Sequence, residues 1–319
     1  MSLLLAIMGA GGNWSGATWA NRFSQRLPGR AITLWPDAQA DLSAVDYAAV
    51  WKPPPGLLAR CPNLKVIFNL GAGVDALLGD PTLPSHVPLV RGANSDLTRR
   101  MTEYVVMHVL IHSRQQRRLD AAQRERRWDA PDQWAAGAVR VGIMGLGELG
   151  RDATDVLLRL GFQVRGWSRS RRDLRGVRCY AGMGELDAFL GQTDILVVLM
   201  PLTSATRGIL NRQLFRMLAR NSALGGPVLI NAGRGGLQIE NDILDSLDDG
   251  TLLAATLDVF ETEPLPPSSR LWSHPRVTIT PHNAADSDPD AISDDIAMQI
   301  RDFERGAPLK NVVDRTREY

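Results

Sequence analysis

Lysine is nearly missing from this chain. Of its 36 basic residues only Lys52, Lys65 and Lys310 are lysines, and the remainder are arginines spread along the whole length. Against 35 acidic residues the net charge is +1, which removes any general attraction to nucleic acid or to an anionic membrane. Cysteine is as scarce. Cys61 and Cys179 stand far apart and outside any CxxC pattern, which argues against a disulfide framework or a thiolate metal site. Long apolar runs are missing too, since none approaches the ~20 residues a membrane helix needs. The opening MSLLLAIMGAGG is apolar, but no basic residue precedes the run, and a buried first strand suits it better than a signal peptide. What remains is the composition of a soluble globular protein, 44% hydrophobic and 22% charged, expected in the cytoplasm.

A length of 319 residues suits two domains. Short apolar runs alternate with longer amphipathic ones, the pattern of a parallel sheet wrapped by helices. The first series of strands is LLLAIM, AITLW, DYAAVW, LKVIFNL and PLV. One long helix is expected from about Asp96 to Trp128, with Met101, Tyr104, Val105, His108, Val109 and His112 on its apolar stripe. A second series follows as VRVGIM, FQVRGW, DILVVLM, GPVLINAG, LLAATLDVF and RVTITPHNA, and DAISDDIAMQIRDFERG closes the chain as a helix. The simplest layout inserts a nucleotide domain into another α/β domain that the C-terminal helix completes.

The second series opens with Gly145-Leu146-Gly147-Glu148-Leu149-Gly150, directly after an apolar strand and directly before a helix. A lone GxGxxG is a weak signal, but this context is the one that gives it meaning. The first glycine permits a tight turn, the second lets the backbone approach a pyrophosphate, and the third packs helix on strand. MGAGGNWSG near the N-terminus also follows a strand, but its glycine spacing does not fit the fingerprint. The second strand of the nucleotide unit ends at Ser168, twenty-three residues after Gly145. An acid there would bind the ribose hydroxyls of NAD and repel a 2′-phosphate. Ser168, Arg169 and Ser170 stand there instead, with Arg171 and Arg172 beside them, which points to NADP(H).

Three further segments carry chemistry at strand ends. VLINAGRGG places Arg234 in a glycine-flanked turn, ATLDVFETEPLP places Glu263 beyond a strand, and VTITPHNAA places His282 likewise. In an open parallel sheet ligands bind at the carboxyl ends of strands, so the three suit one crevice. Arginine forks onto a carboxylate and polarises a ketone, while histidine exchanges a proton with the alcohol oxygen. A carboxylate beside the imidazole orients it and favours its protonated form.

These segments, with WKPP, NLGAGVD, GWSRSRR, MPLTSATRGILN, LWSHPRVTITPHNAA and VDRTREY, resemble the D-isomer-specific 2-hydroxyacid dehydrogenases, in particular the glyoxylate/hydroxypyruvate reductase A branch. The resemblance covers nearly the whole chain. It implies two doubly wound parallel-sheet α/β domains: a Rossmann NAD(P)-binding domain (98–284) inserted into a flavodoxin-like substrate domain (1–97 and 285–319). It implies a catalytic trio of Arg234, Glu263 and His282, and a substrate-carboxylate loop at GAGVD through the amides of Gly73 and Val74. Trp51 and Lys52 become walls of the same pocket. Pro201, Thr206, Ala232 and Asp258 join the glycine turn and the Ser168–Ser170 loop as cofactor contacts, Asp258 near the nicotinamide amide. The resemblance further implies NADP(H) with NAD(H) as a possible second cofactor, a 2-keto acid substrate, a D-configured product, a homodimer through the nucleotide domains, and domain closure around the substrate. Two departures stand out. Asn283 follows the catalytic histidine where relatives more often carry an apolar residue or glycine, and RGGLQIE is looser than the usual RGxxVDE.

Other features have plainer readings. His108 and His112 are four apart, a metal-binding spacing, but without HExxH and on an apolar stripe they are expected to pack, and no metal is expected. The arginines from Arg114 to Arg127 are interrupted by Asp120 and Glu125 and form a helix face, solvated or at a subunit interface. His274 has no assigned role. Two rival functions share all these motifs: a dehydrogenase of a bulkier or phosphorylated 2-hydroxy acid, and a dinucleotide-sensing binding protein.

Overall fold

The computed structural model describes residues 2–8, 15–37, 40–286 and 288–319. Gly9, Gly11 and Gly12 of the N-terminal glycine stretch lie outside them. The chain divides into two compact units, Met1–Leu97 with Ser287–Tyr319, and Thr98–Asp286.

The first unit contains β1 (Ser2–Ile7), α1 (Gly16–Arg26), β2 (Ala31–Trp35), β3 (Val45–Trp51), β4 (Val66–Asn69), α2 (Asp75–Leu78), β5 (Leu89–Val90) and the C-terminal helix Pro289–Glu304. Its strands lie in the order β2-β1-β3-β4-β5, all parallel. A parallel sheet is covered on both faces, so successive side chains enter different cores. Leu3, Leu5, Tyr47 and Ala49 join Trp19 and Phe23 of α1 and Ile292, Ile296 and Ile300 of the C-terminal helix. Leu4, Ala6, Ala48 and Val50 point the other way, toward Leu58, Ile67 and Leu77. A one-residue slip would exchange the two sets, so burial at roughly 1.5–3 kcal/mol per large side chain fixes the register. The C-terminal helix starts with Asp288 as its side-chain cap and Pro289 in its first turn.

The second unit contains α3 (Ser95–Ser113), α4 (Gln116–Arg124), β6 (Arg140–Met144), α5 (Glu148–Arg159), β7 (Gln163–Ser168), β8 (Arg178–Ala181), α6 (Leu186–Leu190), β9 (Ile195–Val198), α7 (Arg212–Met217), β10 (Val228–Asn231), α8 (Glu240–Asp248), β11 (Ala254–Leu257) and β12 (Val277–Ile279). Its order is β12-β11-β10-β9-β6-β7-β8, again all parallel, with the strand order reversing between β6 and β9. The same alternation builds two cores here. Val141, Ile143, Ile195, Val197, Val228 and Ile230 face one, and Met144, Leu196, Val198 and Leu229 the other.

Two elements differ from the sequence-based expectation. The single long helix is two, because Gln115 adopts a left-handed backbone at φ +55 and ends the ladder between α3 and α4. The edge strand β8 was not expected. Its sequence RCYA buries Tyr180 alone, so it carries no apolar alternation to announce it.

Candidate active site

The predicted site residues of the second unit all follow the carboxyl ends of neighbouring parallel strands. Gly145–Gly150 follow β6 and Arg169 follows β7, whose last residue is Ser168. Pro201 and Thr206 follow β9, Ala232 and Arg234 follow β10, Asp258 and Glu263 follow β11, and His282 follows β12. This is the edge at which open α/β sheets bind ligands, and the β6/β9 reversal is its switch point.

The glycine turn has the geometry a dinucleotide requires. Gly145 sits at φ +110, and a Cβ there would stand 2.8 Å from the Leu199 carbonyl group. A Cβ on Gly150 would stand 2.0 Å from the Gly145 carbonyl oxygen, so any side chain would pry α5 off β6. Gly147 is the N-cap of α5, makes no side-chain cap, and has open space where a Cβ would be. The helix therefore presents amide donors to an anion. Glu148 accepts a hydrogen bond from Thr98 Oγ1 at 3.1 Å, and Leu149 packs on the core. After β7, the Ser168 hydroxyl donates to the Ser170 carbonyl at 2.8 Å, and Arg169 and Ser170 are exposed. Arg171 is engaged by Glu185 and the Cys179 carbonyl, which leaves it structural. Thr206 bridges its loop by donating to the Pro201 carbonyl at 2.9 Å and accepting from the Thr203 amide at 2.8 Å. The residues present fit an NADP-type dinucleotide.

On the next three strands the candidate catalytic residues are tightly held. Glu263 Oε2 and His282 Nδ1 are 2.7 Å apart, and Glu263 Oε1 accepts from the Phe260 amide at 3.1 Å. An ionised carboxylate only accepts, so Nδ1 carries the shared proton and Nε2 is the nitrogen left for exchange. The His282 side chain is 41% exposed and Glu263 27%. His282 lies at φ +54, a strained conformation for a non-glycine residue. Its amide is held by the Asp258 and Thr280 carbonyls, at 2.8 and 3.0 Å. Asp258 is buried, and its carboxylate accepts from Thr280 Oγ1 at 2.6 Å and from the Asn283 and Ala284 amides at 3.0 and 3.1 Å. Burial, the largest influence, pushes its pKa up, against the pull of those hydrogen bonds. Asp258 is thus the anchor of the His282 turn, a role the sequence did not reveal. Arg234 is extended, half-buried, and donates from Nη1 to the Gly233 carbonyl at 2.7 Å.

In the first unit, Trp51 ends β3 and Lys52 follows it at φ +48, with its Nζ 5.8 Å from the Trp51 ring centroid. Buried Asn69, at the end of β4, donates to the Gly71 and Gly73 carbonyls at 2.7 and 2.8 Å and curls the GAGVD loop.

Residues 106–284 match the family model described as the NAD binding domain of D-isomer specific 2-hydroxyacid dehydrogenase. The chain belongs to that family. A glyoxylate/hydroxypyruvate reductase A of Serratia proteamaculans is 42% identical over 301 residues, covering 93% of this chain and 94% of its own length. Among solved structures, the NADPH-dependent glyoxylate/hydroxypyruvate reductase of Sinorhizobium meliloti, in complex with NADP and sulfate, superposes with a TM-score of 0.93 at 47% identity, over 100% of this chain and 99% of that one. A probable 2-hydroxyacid dehydrogenase from Rhizobium etli, in complex with NADP, HEPES and L(+)-tartaric acid, gives 0.94 at 45% identity with the same coverage.

The other singled-out residues make structural contacts. His108 is buried against the Tyr104 ring, with centroids 4.3 Å apart, and His112 Nε2 meets Thr256 Oγ1 at 2.9 Å. His274 pairs with Asp248 at 3.3 Å and accepts from the Arg276 amide at 3.1 Å. Arg117 donates to Thr278 Oγ1 at 2.6 Å and to the Pro275 carbonyl, while Arg118 and Arg127 pair with Asp129. Among the described residues no group of three or more His, Cys, Asp or Glu is placed to hold a metal ion, and no helix is long and apolar enough to cross a membrane. Asn283, one of the two departures, contributes its backbone amide to Asp258.

Proposed function

We propose that this chain is an NADPH-preferring reductase of small 2-keto acids, with glyoxylate and hydroxypyruvate as its leading substrates. The observation that carries the reading is the Glu263–His282 pair at 2.7 Å, at the carboxyl edge of the sheet that holds the glycine turn. The 42–47% identical relatives named for these two acids support the substrate class.

In this reading Arg234 forks onto the substrate carboxylate, and the Gly73 and Val74 amides take part in holding it. When bound, the reduced nicotinamide supplies the hydride. His282 Nε2 gives its proton to the keto oxygen as that oxygen gains charge, so carbonyl, hydride and proton sum to the alcohol. Glu263 keeps the imidazole oriented through the 2.7 Å contact to Nδ1. Trp51 and Lys52 are assigned to the substrate, and Ala232, Pro201, Thr206 and Asp258 to the cofactor. Arg169 and the serines beside it meet the 2′-phosphate. A cytoplasmic setting agrees with Cys61 and Cys179 both being free thiols. A homodimer joined through the nucleotide-binding unit agrees with the exposed Met107, Trp128 and Leu160.

The deciding experiment is loss of absorbance at 340 nm with purified protein, crossing NADPH and NADH against glyoxylate, hydroxypyruvate, pyruvate and phenylpyruvate. Rapid NADPH-dependent turnover of the two small acids is expected. NADPH binding without turnover of any acid would remove the reductase reading and favour a sensing role.

A further inference from the structure

A continuous set of hydrogen bonds, buried at its centre, joins the turn that carries Arg234 to the turn that carries Glu263. Asn231, fully buried at the end of β10, accepts from the Gly233 amide through Oδ1 at 3.0 Å. Its Nδ2 donates to the Arg234 carbonyl at 3.2 Å and to Gln238 Oε1 at 2.8 Å. Gln238, 2% exposed, donates from Nε2 to the Val259 carbonyl at 2.9 Å. The next amide, that of Phe260, donates to Glu263 Oε1 at 3.1 Å, and Glu263 Oε2 meets His282 Nδ1 at 2.7 Å. The two backbone partners at the ends, one a donor and one an acceptor, leave a single consistent orientation for both side-chain amides. The turns are also in direct contact, because a Cβ on Gly235 would stand 1.8 Å from the Phe260 carbonyl oxygen.

Gln238 is the residue at which RGGLQIE first leaves the RGxxVDE pattern. A buried amide is costly unless every polar atom finds a partner, and here each partner belongs to a turn bearing a candidate catalytic residue. We propose that Gln238 is a positioning residue: it sets the Arg234 turn and the Glu263–His282 pair at a fixed separation. The role rests on the function proposed above. Gln238 touches neither substrate nor cofactor and acts through Asn231 and the Val259–Phe260 peptide.

The test begins with Gln238→Met, which keeps length and burial and removes both hydrogen bonds. With glyoxylate and NADPH, KM is expected to rise and kcat to fall, lowering kcat/KM about tenfold or more. The NADPH dissociation constant, read by its fluorescence, should change less than KM, because the glycine turn after β6 shares none of these bonds and only Ala232 and Asp258 of the proposed cofactor contacts adjoin them. Wild-type kinetics in Gln238→Met would overturn the proposal. Gln238→Glu covers the case in which that variant does not fold. An ionised carboxylate accepts from Asn231 but cannot donate to the Val259 carbonyl, whereas the protonated form can. Its activity relative to wild type should therefore recover as pH falls, and a flat ratio would overturn the role. Amide exchange supplies a readout free of turnover: in Gln238→Met the Gly233 and Phe260 amides should exchange faster, with α5 unchanged. If wild-type protein turns over no 2-keto acid, the function fails on its own, and unaltered exchange at those two amides would still overturn the coupling.

Discussion

At the scale of single residues, the candidate catalytic groups could be proposed from the sequence, and the groups that hold their loops could not. Arg234, Glu263 and His282 stand in short motifs beyond strands, and their side chains are of the types acid–base chemistry needs. Asn69, Asn231, Gln238 and Asp258 hold the loops largely through main-chain partners, and Thr280 through the Asp258 carboxylate, and those partners are invisible until the turns are folded. Asn69 and Asn231 each end a strand, which is the signal that could have marked them. His282→Ala should lower kcat by about 10²–10⁴-fold, the span ordinary for general acid catalysis, while NADPH still binds. Turnover near wild type in that variant would remove the proton-donor role. Arg169→Asp replaces the guanidinium after β7 with the carboxylate that typifies NAD sites. The kcat/KM ratio of NADPH over NADH should fall roughly ten- to hundredfold, as expected for a lost charge-assisted contact to the 2′-phosphate. An unchanged ratio would sink the phosphate assignment.

At the scale of elements, central strands were legible because burial on both faces makes them apolar throughout, and β8 was not because only Tyr180 is buried on it. The break at Gln115 escaped notice for another reason: apolar spacing continues through it, and a left-handed glutamine has no sequence signature. Helix α3 has a consequence for stability. Burial pulls the His108 pKa down to about 4 and, as the largest influence, the His112 pKa down to about 3, both from an unfolded value of 6.5. Both fold as neutral rings while the unfolded chain takes up protons below 6.5. Their contribution is thus complete above that pH and is lost as pH falls toward 4. For His108 the loss approaches about 3 kcal/mol at pH 4, to order of magnitude. Urea unfolding from pH 8 to 4 should show stability declining across this window, and His108→Phe should make the decline shallower. An equally steep profile in that variant would show that other groups govern the acid limb.

At the scale of the whole molecule, the insertion of one α/β unit into another was readable from two alternating series and one leftover helix. The homodimer is implied by the resemblance alone, because the exposed side chains that would build an interface have no periodicity to separate them from ordinary surface. The second unit carries such side chains. Trp128 is 98% exposed, Met107 47% and Leu160 44%. Leu160 also borders an open hollow of about 190 Å³ whose other walls include Leu110, Trp134 and Phe162. A buried tryptophan contributes 150–250 Å² of contact, so leaving Trp128 in water forgoes several kcal/mol at ~25 cal/mol per Å². A second copy of the chain is the occupant that the homodimer of this reading supplies. Light scattering on the purified protein should therefore give twice the mass of one chain. Trp128→Asp combined with Leu160→Arg should lower it toward the single-chain mass, by placing charges where apolar surface is to be covered. A wild-type protein with the mass of one chain would refute the dimer. An unaltered dimer in the double variant would move the interface to another face of the molecule.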